Sequence, residues 1–553
     1  MPADSPTRLP ATPADPYDLI VTGGWVLDGT GDSARLADIA VRSGKVAWVG
    51  PGGALASTPA RVRIEAEGRW VTPGFIDILS LSGSAILAGR GEVPNKIAQG
   101  ITTEVFGEST SRGPTNRRTG GPAEFSGAHG FGNWLEAMRA RGSSTNFGSF
   151  LGGGTLRLYT MGMDPRAASD VQIDSMRAVV RRAMEDGALG LATALIYAPG
   201  AYARTDELIA MAAVVAEYGG IYASHVRSEG DRLLDGIDEA IRIGASAGIP
   251  VEIYHLKVAG SRNWGLAETA VALIDSARAA GLDITANTFP YLVSSTGLTA
   301  CLPPWVSANG LRYRNLANQN LGPRIIEDMM DTHTDWENFC ALATPAGVRP
   351  VNLVTPGNRR YAGLELDSIA RLRNQEWAET VISLIAEEGH RVTTHYVLRR
   401  ESNLRLILRQ PWVRLGTDAG GVDPGRATRL IHPRAYGTIQ RTLGRYVRDE
   451  GLMSLPEFVQ RNTWSAARRL GVDDRGRIRQ GQWADLVVFD LAAVADESTY
   501  EDPHHLSTGM EYVLVNGEIV WDRGVHTGAK PGMILRGPGW VGSAKHEGSP
   551  GAE

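Results

Sequence analysis

Cysteine is scarce in this chain, and long apolar runs are missing. The 553 residues include two cysteines, Cys301 and Cys340. A secreted protein held together by disulfides carries more, so this count favours a reducing compartment. No run of about 18 apolar residues occurs, which predicts no membrane span, and the N-terminus lacks the apolar segment of a signal peptide. Together these absences predict a cytoplasmic protein.

A strong excess of either charge is also missing. The chain has 56 Lys and Arg against 61 Asp and Glu, a formal net charge of −5. Because nucleic acids and anionic membranes select basic surfaces, neither is predicted as a partner. The composition is that of a globular protein, and the length predicts a large domain with a smaller companion. Nothing in the sequence fixes the oligomeric state.

The two ends of the chain have β-structure patterns. Tyr17–Val26 alternates apolar residues with turn-formers, and Asn516-Gly517 favours a tight hairpin near the C-terminus. Each end alone is too short to bury a sheet. We therefore predict one small β-sandwich built from both ends.

The middle of the chain alternates strand-like and helix-like segments. Eight strands with helical crossovers are what a closed, TIM-type (β/α)8 barrel requires. The strand candidates are Val71–Leu79, Ile101–Gly107, Asn146–Leu151, Ala188–Ile196, Gly220–Val226, Val251–Lys257, Asp283–Phe289 and Trp412–Asp418. A ninth candidate, Arg391–Leu398, leaves the count approximate.

The predicted fold is thus α/β, a (β/α)8 barrel with a small β-sandwich and an inserted lid. The interval from Gly297 to His390 is too long for a plain connection and predicts that helical insert. The predicted division is a flexible arm (1–16), a β-sandwich (17–70 plus 477–537), a barrel (71–476, with the insert at about 297–390) and a flexible tail (538–553).

Three strand candidates end in polar residues that suit a hydrolase. Ile221–His225 and Val251–His255 end in histidines, and Trp412–Asp418 ends in an aspartate. A barrel builds its active site at these strand ends. Two imidazoles suit Zn²⁺, which lowers the pKa of a ligated water to about 7. An aspartate can hold that water and take its proton.

Several motifs resemble those of a known family. Val71-Thr-Pro-Gly-Phe-Ile-Asp77 resembles the opening strand of the amidohydrolase superfamily. Further motifs resemble its N-acyl-D-amino-acid deacylase (D-aminoacylase) branch: Gln99-Gly-Ile-Thr-Thr103, Ser224-His-Val-Arg-Ser-Glu-Gly230, Tyr254-His-Leu-Lys257, Gly416-Thr-Asp418, His432-Pro-Arg434 and Gly481–Asp490. The resemblance extends from about Tyr17 to Gly537 and implies a zinc-dependent enzyme that removes an acyl group from a D-amino acid.

The resemblance also implies roles for individual residues. These are metal ligation by His225 and His255, proton abstraction by Asp418, binding of a substrate carboxylate by Arg434, and further substrate contacts from Lys257, Tyr291 and Ser295. The expected partner is therefore a small molecule that carries a carboxylate. Arginine suits that task because its guanidinium binds a carboxylate with two hydrogen bonds.

The first strand departs from the family pattern. Leu79 and Leu81 stand where the superfamily has the two histidines of a His-x-His motif. Strand alternation places both leucines on the face of Asp77, toward the barrel interior. Since leucine offers no lone pair, the metal pocket served by those histidines is expected to be absent unless Ser80 or Ser82 turns inward.

The second strand departs as well. Ser109 occupies the place of a cysteine ligand in the D-aminoacylases, with Glu108 beside it. A carboxylate is a competent zinc ligand, so Glu108, His225 and His255 are expected to hold one Zn²⁺ ion. The competing interpretation is that Glu108 pairs with a nearby arginine such as Arg112.

Three functions therefore stay open. The first is a single-metal amidohydrolase acting on an N-acyl-D-amino acid or a related compound. The loss of the His-x-His motif motivates the second, a barrel used for metal-independent acyl transfer, isomerisation or cyclisation. The third is a non-catalytic binding protein on an enzyme fold.

Overall fold

The computed structural model describes residues 16–331 and 334–542. Residues 1–15 of the predicted flexible arm and residues 543–553 of the predicted flexible tail lie outside the described residues. None of the described helices combines the length and apolar character needed to cross a lipid bilayer.

The chain alternates strands and helices through most of its length. The strands are β1 (Tyr17–Val26), β2 (Arg35–Arg42), β3 (Lys45–Pro51), β4 (Ala60–Glu65), β5 (Trp70–Pro73), β6 (Phe75–Asp77), β7 (Ile101–Phe106), β8 (Asn146–Ser149), β9 (Leu151–Gly152), β10 (Gly190–Ala194), β11 (Ile221–His225), β12 (Val251–Ile253), β13 (Ile284–Thr288), β14 (Val293–Gly297), β15 (Val348–Pro350), β16 (Thr393–Val397), β17 (Val413–Leu415), β18 (Leu486–Phe489), β19 (Met510–Val515), β20 (Glu518–Asp522) and β21 (Val525–His526).

The helices are α1 (Gly83–Leu87), α2 (Pro94–Ile97), α3 (Gly130–Arg141), α4 (Gly153–Met161), α5 (Asp170–Glu185), α6 (Thr205–Glu217), α7 (Leu233–Ala247), α8 (Ala267–Ala279), α9 (Arg312–Ala317), α10 (Gly322–Met330), α11 (Phe339–Ala343), α12 (Leu366–Arg373), α13 (Trp377–Glu388), α14 (Glu401–Leu408), α15 (Arg434–Arg441), α16 (Leu455–Asn462) and α17 (Trp464–Arg469). Helices α4 to α8 follow barrel strands, as crossover helices do.

Strands from both ends of the chain form one sheet. Its order is β21-β20-β19-β18-β5-β1-β2-β3, and β4 pairs with β1. Apolar side chains of the N-terminal strands, such as Val21 and Ile39, share one buried core with Leu486 and Leu514 of the C-terminal strands. The predicted β-sandwich from both ends is therefore confirmed.

Eight strand positions close into a barrel. Strands β9 to β13 and β17 form a parallel sheet, and β6 to β8 form a second one. Only Phe150 separates β8 from β9, so these two are halves of one strand. A bridge between Ser80 and Ala419 joins the first barrel strand to the last. This confirms the predicted TIM-type barrel.

The ninth strand candidate lies outside the barrel. It corresponds to β16, which pairs antiparallel with β14 and β15 in a separate three-stranded sheet. Helices α9 to α13 belong to the same part of the chain. This region accounts for the long interval between β13 and β17 and forms one wall of the cavity described below.

The two cysteines are bonded to each other within this inserted region. Cys301 and Cys340 form a disulfide with their Cα atoms 5.2 Å apart, and both are fully buried. Packing of the insert brings together two residues that lie 39 positions apart. Since both cysteines are bonded, the low cysteine count no longer supports a reducing compartment.

Candidate active site

A cavity of about 700 Å³ opens at the C-terminal ends of the barrel strands. Its floor is formed by residues at or just after the ends of β7, β11, β12 and β17, namely Glu108, Ser109, His225, His255, Lys257 and Asp418. The inserted region supplies the opposite wall, including Ser295, Arg312, Phe339 and Arg391. The strand-end residues singled out in the sequence thus converge on one cavity.

Glu108, His225 and His255 form a compact group, here called the ligand cluster. Glu108 Oε1 lies 3.0 Å from His225 Nδ1 and 3.2 Å from His255 Nε2. The two imidazole rings are 4.3 Å apart between centroids, and one ligand atom from each residue lies within 4.8 Å of the others. Within the described part of the chain, no other group of His, Cys, Asp and Glu side chains meets this spacing.

The ligand cluster fits a divalent metal ion in its chemistry. Two imidazoles and a carboxylate are a donor set that zinc takes in catalytic sites, where a fourth position stays open. His225 Nδ1 and His255 Nε2 face the same Glu108 oxygen, so one ion could contact all three atoms, while the buried His225 Nε2 lies 3.6 Å from Glu229 Oε1. Arg112 instead donates to Ser84, so the alternative pairing of Glu108 with that arginine is wrong.

Hydrogen bonds join the three side chains of the ligand cluster and shift the pKa values of two of them. Burial raises the pKa of Glu108, but hydrogen bonds from His225 and His255 outweigh it and hold the pKa well below its usual range. Burial and the Lys257 ammonium lower the pKa of His255, yet Glu229 and Glu108 outweigh them and raise it to about 9. A metal ion that binds the neutral imidazole of His255 would therefore displace a proton.

Glu229 is a site residue to which the sequence analysis gave no role. Its Oε1 lies 2.9 Å from His255 Nδ1 and pairs with the Lys257 ammonium, which itself lies 2.8 Å from His255 Nδ1. An acidic partner on the second ring nitrogen orients a ligating histidine. Glu229 lies in the same Ser224–Gly230 motif that contains His225, so its position just after β11 was the available signal.

Asp418 and Arg434 face each other in the cavity. Arg434 Nη1 lies 2.7 Å from Asp418 Oδ2, and Arg434 Nη2 donates to the Ser295 carbonyl oxygen at 3.3 Å. Burial raises the pKa of Asp418, and the Arg434 charge opposes that rise. Asp418 also has a φ of 47°, an uncommon left-handed conformation for a residue other than glycine. Such conformations concentrate at functional sites.

The first barrel strand offers no metal ligand to the cavity. Leu79 packs inside the barrel, where a side chain at Gly416 would come within 2.8 Å of its Cβ. Leu81 lines the cavity and is 46% exposed. Ser80 and Ser82 are fully buried and donate to Glu104. Neither serine replaces the missing imidazoles.

Of the predicted substrate contacts, the structure places one away from the cavity. Arg434, Lys257 and Ser295 line it, whereas Tyr291 does not. The Tyr291 hydroxyl donates to Asp496 Oδ2 at 2.8 Å, in a buried cluster behind Arg434. The predicted contact of Tyr291 with substrate is therefore corrected: the phenol stays buried and its hydroxyl bonds to Asp496 on the C-terminal segment, away from the cavity.

Comparisons with known proteins place this arrangement in a family. A profile of the amidohydrolase family matches residues 360–521. A D-aminoacylase of Alcaligenes xylosoxydans xylosoxydans is 32% identical over 530 residues, covering 94% of this chain and 98% of the relative. An N-acyl-D-glutamate deacylase from the same organism is 32% identical over 527 residues, covering 94% and 96%. The chain belongs to the D-aminoacylase branch of the amidohydrolases.

Solved structures of this family agree with the fold. A crystal structure of D-aminoacylase superposes with a TM-score of 0.78 at 31% identity, covering 94% of this chain and all of that one. An N-acyl-D-glutamate deacylase from Bordetella bronchiseptica, complexed with zinc and a phosphonate inhibitor, superposes with a TM-score of 0.77 at 30% identity, with 94% and 100% covered. A further D-aminoacylase structure, with a TM-score of 0.78 at 31% identity, is of an enzyme with a binuclear metal centre that shows one-metal activation and second-metal attenuation.

Proposed function

We propose that this protein is a single-metal hydrolase that removes the acyl group from N-acyl-D-amino acids. The observation that carries the proposal is the convergence of Glu108, His225 and His255 beside the Asp418–Arg434 pair in one cavity. The ligand cluster would hold one Zn²⁺ ion. The D configuration of the substrate is supported by the D-aminoacylase and D-amino-acid deacylase relatives.

Each residue of the site has a task that its geometry supports. A zinc ion at the ligand cluster would acidify water and polarise the scissile carbonyl. Asp418 is the group that takes a proton from the attacking water at its carboxylate and later gives it to the departing amine nitrogen. Glu229 keeps His255 in orientation through its second ring nitrogen.

Arg434 connects substrate binding to the basicity of Asp418. Its guanidinium is bound to Asp418 in the structure, so a substrate carboxylate that binds Arg434 competes with that carboxylate. As Asp418 loses this cation, its pKa rises further, because the Arg434 charge is the largest of the effects that oppose burial, ahead of His255 and Lys257. Binding of the correct substrate thereby makes Asp418 a better proton acceptor.

The cavity wall supplied by the inserted region favours a second anionic group on the substrate. Arg312 and Arg391 line this wall, and no described carboxylate forms an ion pair with either of them. Burial is the main cause that lowers the pKa of Arg312, and the charge of Arg391 adds to it. Two such cations suit an acidic side chain or an acidic acyl group. The relatives that act on N-acyl-D-glutamate and N-acyl-D-aspartate support this substrate class.

A panel of paired enantiomers tests the proposed function. N-acetyl-D-glutamate, N-acetyl-D-aspartate, N-acetyl-D-methionine and their L forms are assayed for amine release, with zinc added and after chelation. We expect hydrolysis of D forms alone, lost on chelation and restored by zinc. Inertness of every D form with zinc present contradicts the proposal, and unchanged turnover after complete chelation favours the metal-independent alternative.

The division of the chain and its location are proposals as well. We propose that residues 71–476 form the catalytic domain and that 17–70 plus 477–537 form the supporting β-sandwich, which the shared sheet of both ends supports. A cytoplasmic location rests on the sequence composition, and the Cys301–Cys340 disulfide counts against it. Cell fractionation distinguishes the two.

A further inference from the structure

A buried lysine lies beneath Asp418, outside the cavity. Lys96 is on α2 and is fully buried together with Asp77 and Glu104. Its ammonium lies 2.8 Å from Asp77 Oδ2 and 3.7 Å from Glu104 Oε2. We call Lys96, Asp77, Glu104 and Thr417 the lysine cluster. A buried charge is costly unless it is paired and hydrogen-bonded, so this cluster calls for an explanation.

The lysine ammonium also binds the residues on both sides of Asp418. Its Nζ donates to Thr417 Oγ1 at 2.6 Å and to the Ala419 carbonyl oxygen at 2.7 Å. With Asp77, these acceptors use all three protons of the ammonium group. Lys96 therefore clamps the chain one residue before and one residue after Asp418.

Asp77 and the first barrel strand complete the hold on this segment. Asp77 accepts from the backbone N–H of Thr417 at 2.9 Å and from its hydroxyl at 2.6 Å. The backbone N–H of Asp418 donates to the Leu79 carbonyl oxygen at 2.8 Å. Asp418 sits in the middle with its φ of 47°. A residue keeps such a conformation only where its surroundings determine it firmly.

We propose that Lys96, acting through Thr417 and Ala419, is the positioning residue that aims the Asp418 carboxylate into the cavity. This inference rests on the proposed function, in which Asp418 moves the proton. Lys96 itself does not line the cavity, and its ammonium bonds to Asp77, Thr417 and Ala419, none of which belongs to the ligand cluster. Its removal should lower turnover while leaving zinc and substrate binding intact, because misplacement of a catalytic group by about 1 Å can cost about 100-fold.

Kinetics of matched variants test this role. Lys96→Met should lower kcat about 100-fold, and Thr417→Val about tenfold, with KM changed less than about twofold and zinc content unchanged. Thr417→Ser keeps the hydroxyl and should retain turnover close to that of the wild type. The matched control is the double variant Arg157→Met/Glu207→Gln, since that ion pair is nearly as buried and does not line the cavity; it should lower the melting temperature without lowering kcat.

A structural readout keeps the test independent of activity and of folding failures. Crystal structures of Thr417→Val and Thr417→Ser should show Asp418 displaced from Arg434 in the first and unmoved in the second. The inference is overturned if Thr417→Val keeps both the wild-type kcat and the wild-type Asp418 position, or if kcat falls only as far as zinc is lost. A wild-type enzyme that is inert on every N-acyl-D-amino acid would contradict the proposed function instead. The position of Asp418 in the crystal structures of the Thr417 variants would still test the role of Lys96.

Discussion

The ligand cluster and the lysine cluster lie at the same end of one barrel. Each contains a glutamate from the β7 region, but one glutamate faces the cavity and the other is buried among hydrogen-bond donors. Glu108 follows β7 and faces the cavity, where its partners are two imidazoles. Glu104 lies four residues earlier in the same strand and is sealed against Ser80, Ser82 and a lysine. A carboxylate beside imidazoles can hold a metal ion, whereas one beside an ammonium and hydroxyls is already satisfied.

This difference explains how a family member functions without the His-x-His motif. The first strand contributes leucines to the barrel interior and the cavity wall. Its buried Asp77 accepts hydrogen bonds from Thr417 and so holds the segment that carries Asp418. The metal-binding capacity is concentrated in the ligand cluster. The comparison therefore predicts one metal ion, with the strand-1 side of the site acting as scaffold.

The largest expected effect comes from exchanging one carboxylate in each cluster. Glu108→Gln removes an anionic zinc ligand, and loss of the metal's several kcal/mol of stabilisation should lower kcat/KM on the order of 1,000-fold. Glu104→Gln is the matched control, because it makes the same change four residues away. Measured zinc content should drop in the first variant and stay at the wild-type value in the second. Equal zinc loss in both variants would erase the distinction between the clusters.

Replacement of the proton acceptor should affect turnover alone. Asp418→Asn keeps the shape of the side chain but cannot take a proton, so kcat should fall on the order of 100-fold. Zinc content, measured on the same sample, should stay unchanged because Asp418 is not part of the ligand cluster. A variant with full turnover would show that another group moves the proton.

Zinc affinity should depend on pH through His255. Glu229 and Glu108 raise its pKa to about 9, and zinc binds the neutral imidazole. Binding therefore displaces a proton below that pH, and zinc affinity should rise about tenfold per pH unit between about 6.5 and 8.5. Titration against a competing chelator measures this slope.

Glu229 provides the control for that pH dependence. Its carboxylate is a cause of the raised pKa of His255, so Glu229→Gln should lower that pKa and shift the pH-dependent range of zinc affinity downward. A zinc affinity that stays flat from pH 6.5 to 8.5 in the wild type would mean that His255 is already neutral before the metal binds.

The smallest effect is expected at the leucine that faces the cavity. Leu81→Ala removes apolar surface from a side chain that is 46% exposed, so KM should change by less than about tenfold. Zinc content should not change. A variant that loses zinc would place Leu81 within the metal site and contradict its assignment to the cavity wall.

Much of the site was predictable because barrel strands have a fixed polarity. His225, His255, Asp418 and Glu108 come at or just after apolar runs, and parallel strands bring such ends to one mouth. The sequence also predicts that Leu79 lies inside the barrel, since strand alternation sets the face of each side chain.

The remainder depends on contacts between distant segments. The turn of Tyr291 away from the cavity follows from Asp496, which comes about two hundred residues later. The disulfide depends on the packing of the insert. The burial of Lys96 depends on Asp77, at the end of the first barrel strand, and on Thr417, just after the last one. Local patterns carry no information about these pairings.

The most direct test compares the amount of zinc bound per chain with the hydrolytic activity of the same sample. Protein stripped with a chelator is titrated with Zn²⁺ while bound metal is quantified by mass spectrometry and hydrolysis of an N-acyl-D-amino acid is followed. We predict that activity returns in proportion to the first equivalent of zinc bound per chain and that a second equivalent adds none. Full activity in the stripped protein, or activity that requires two tightly bound ions per chain, would contradict it.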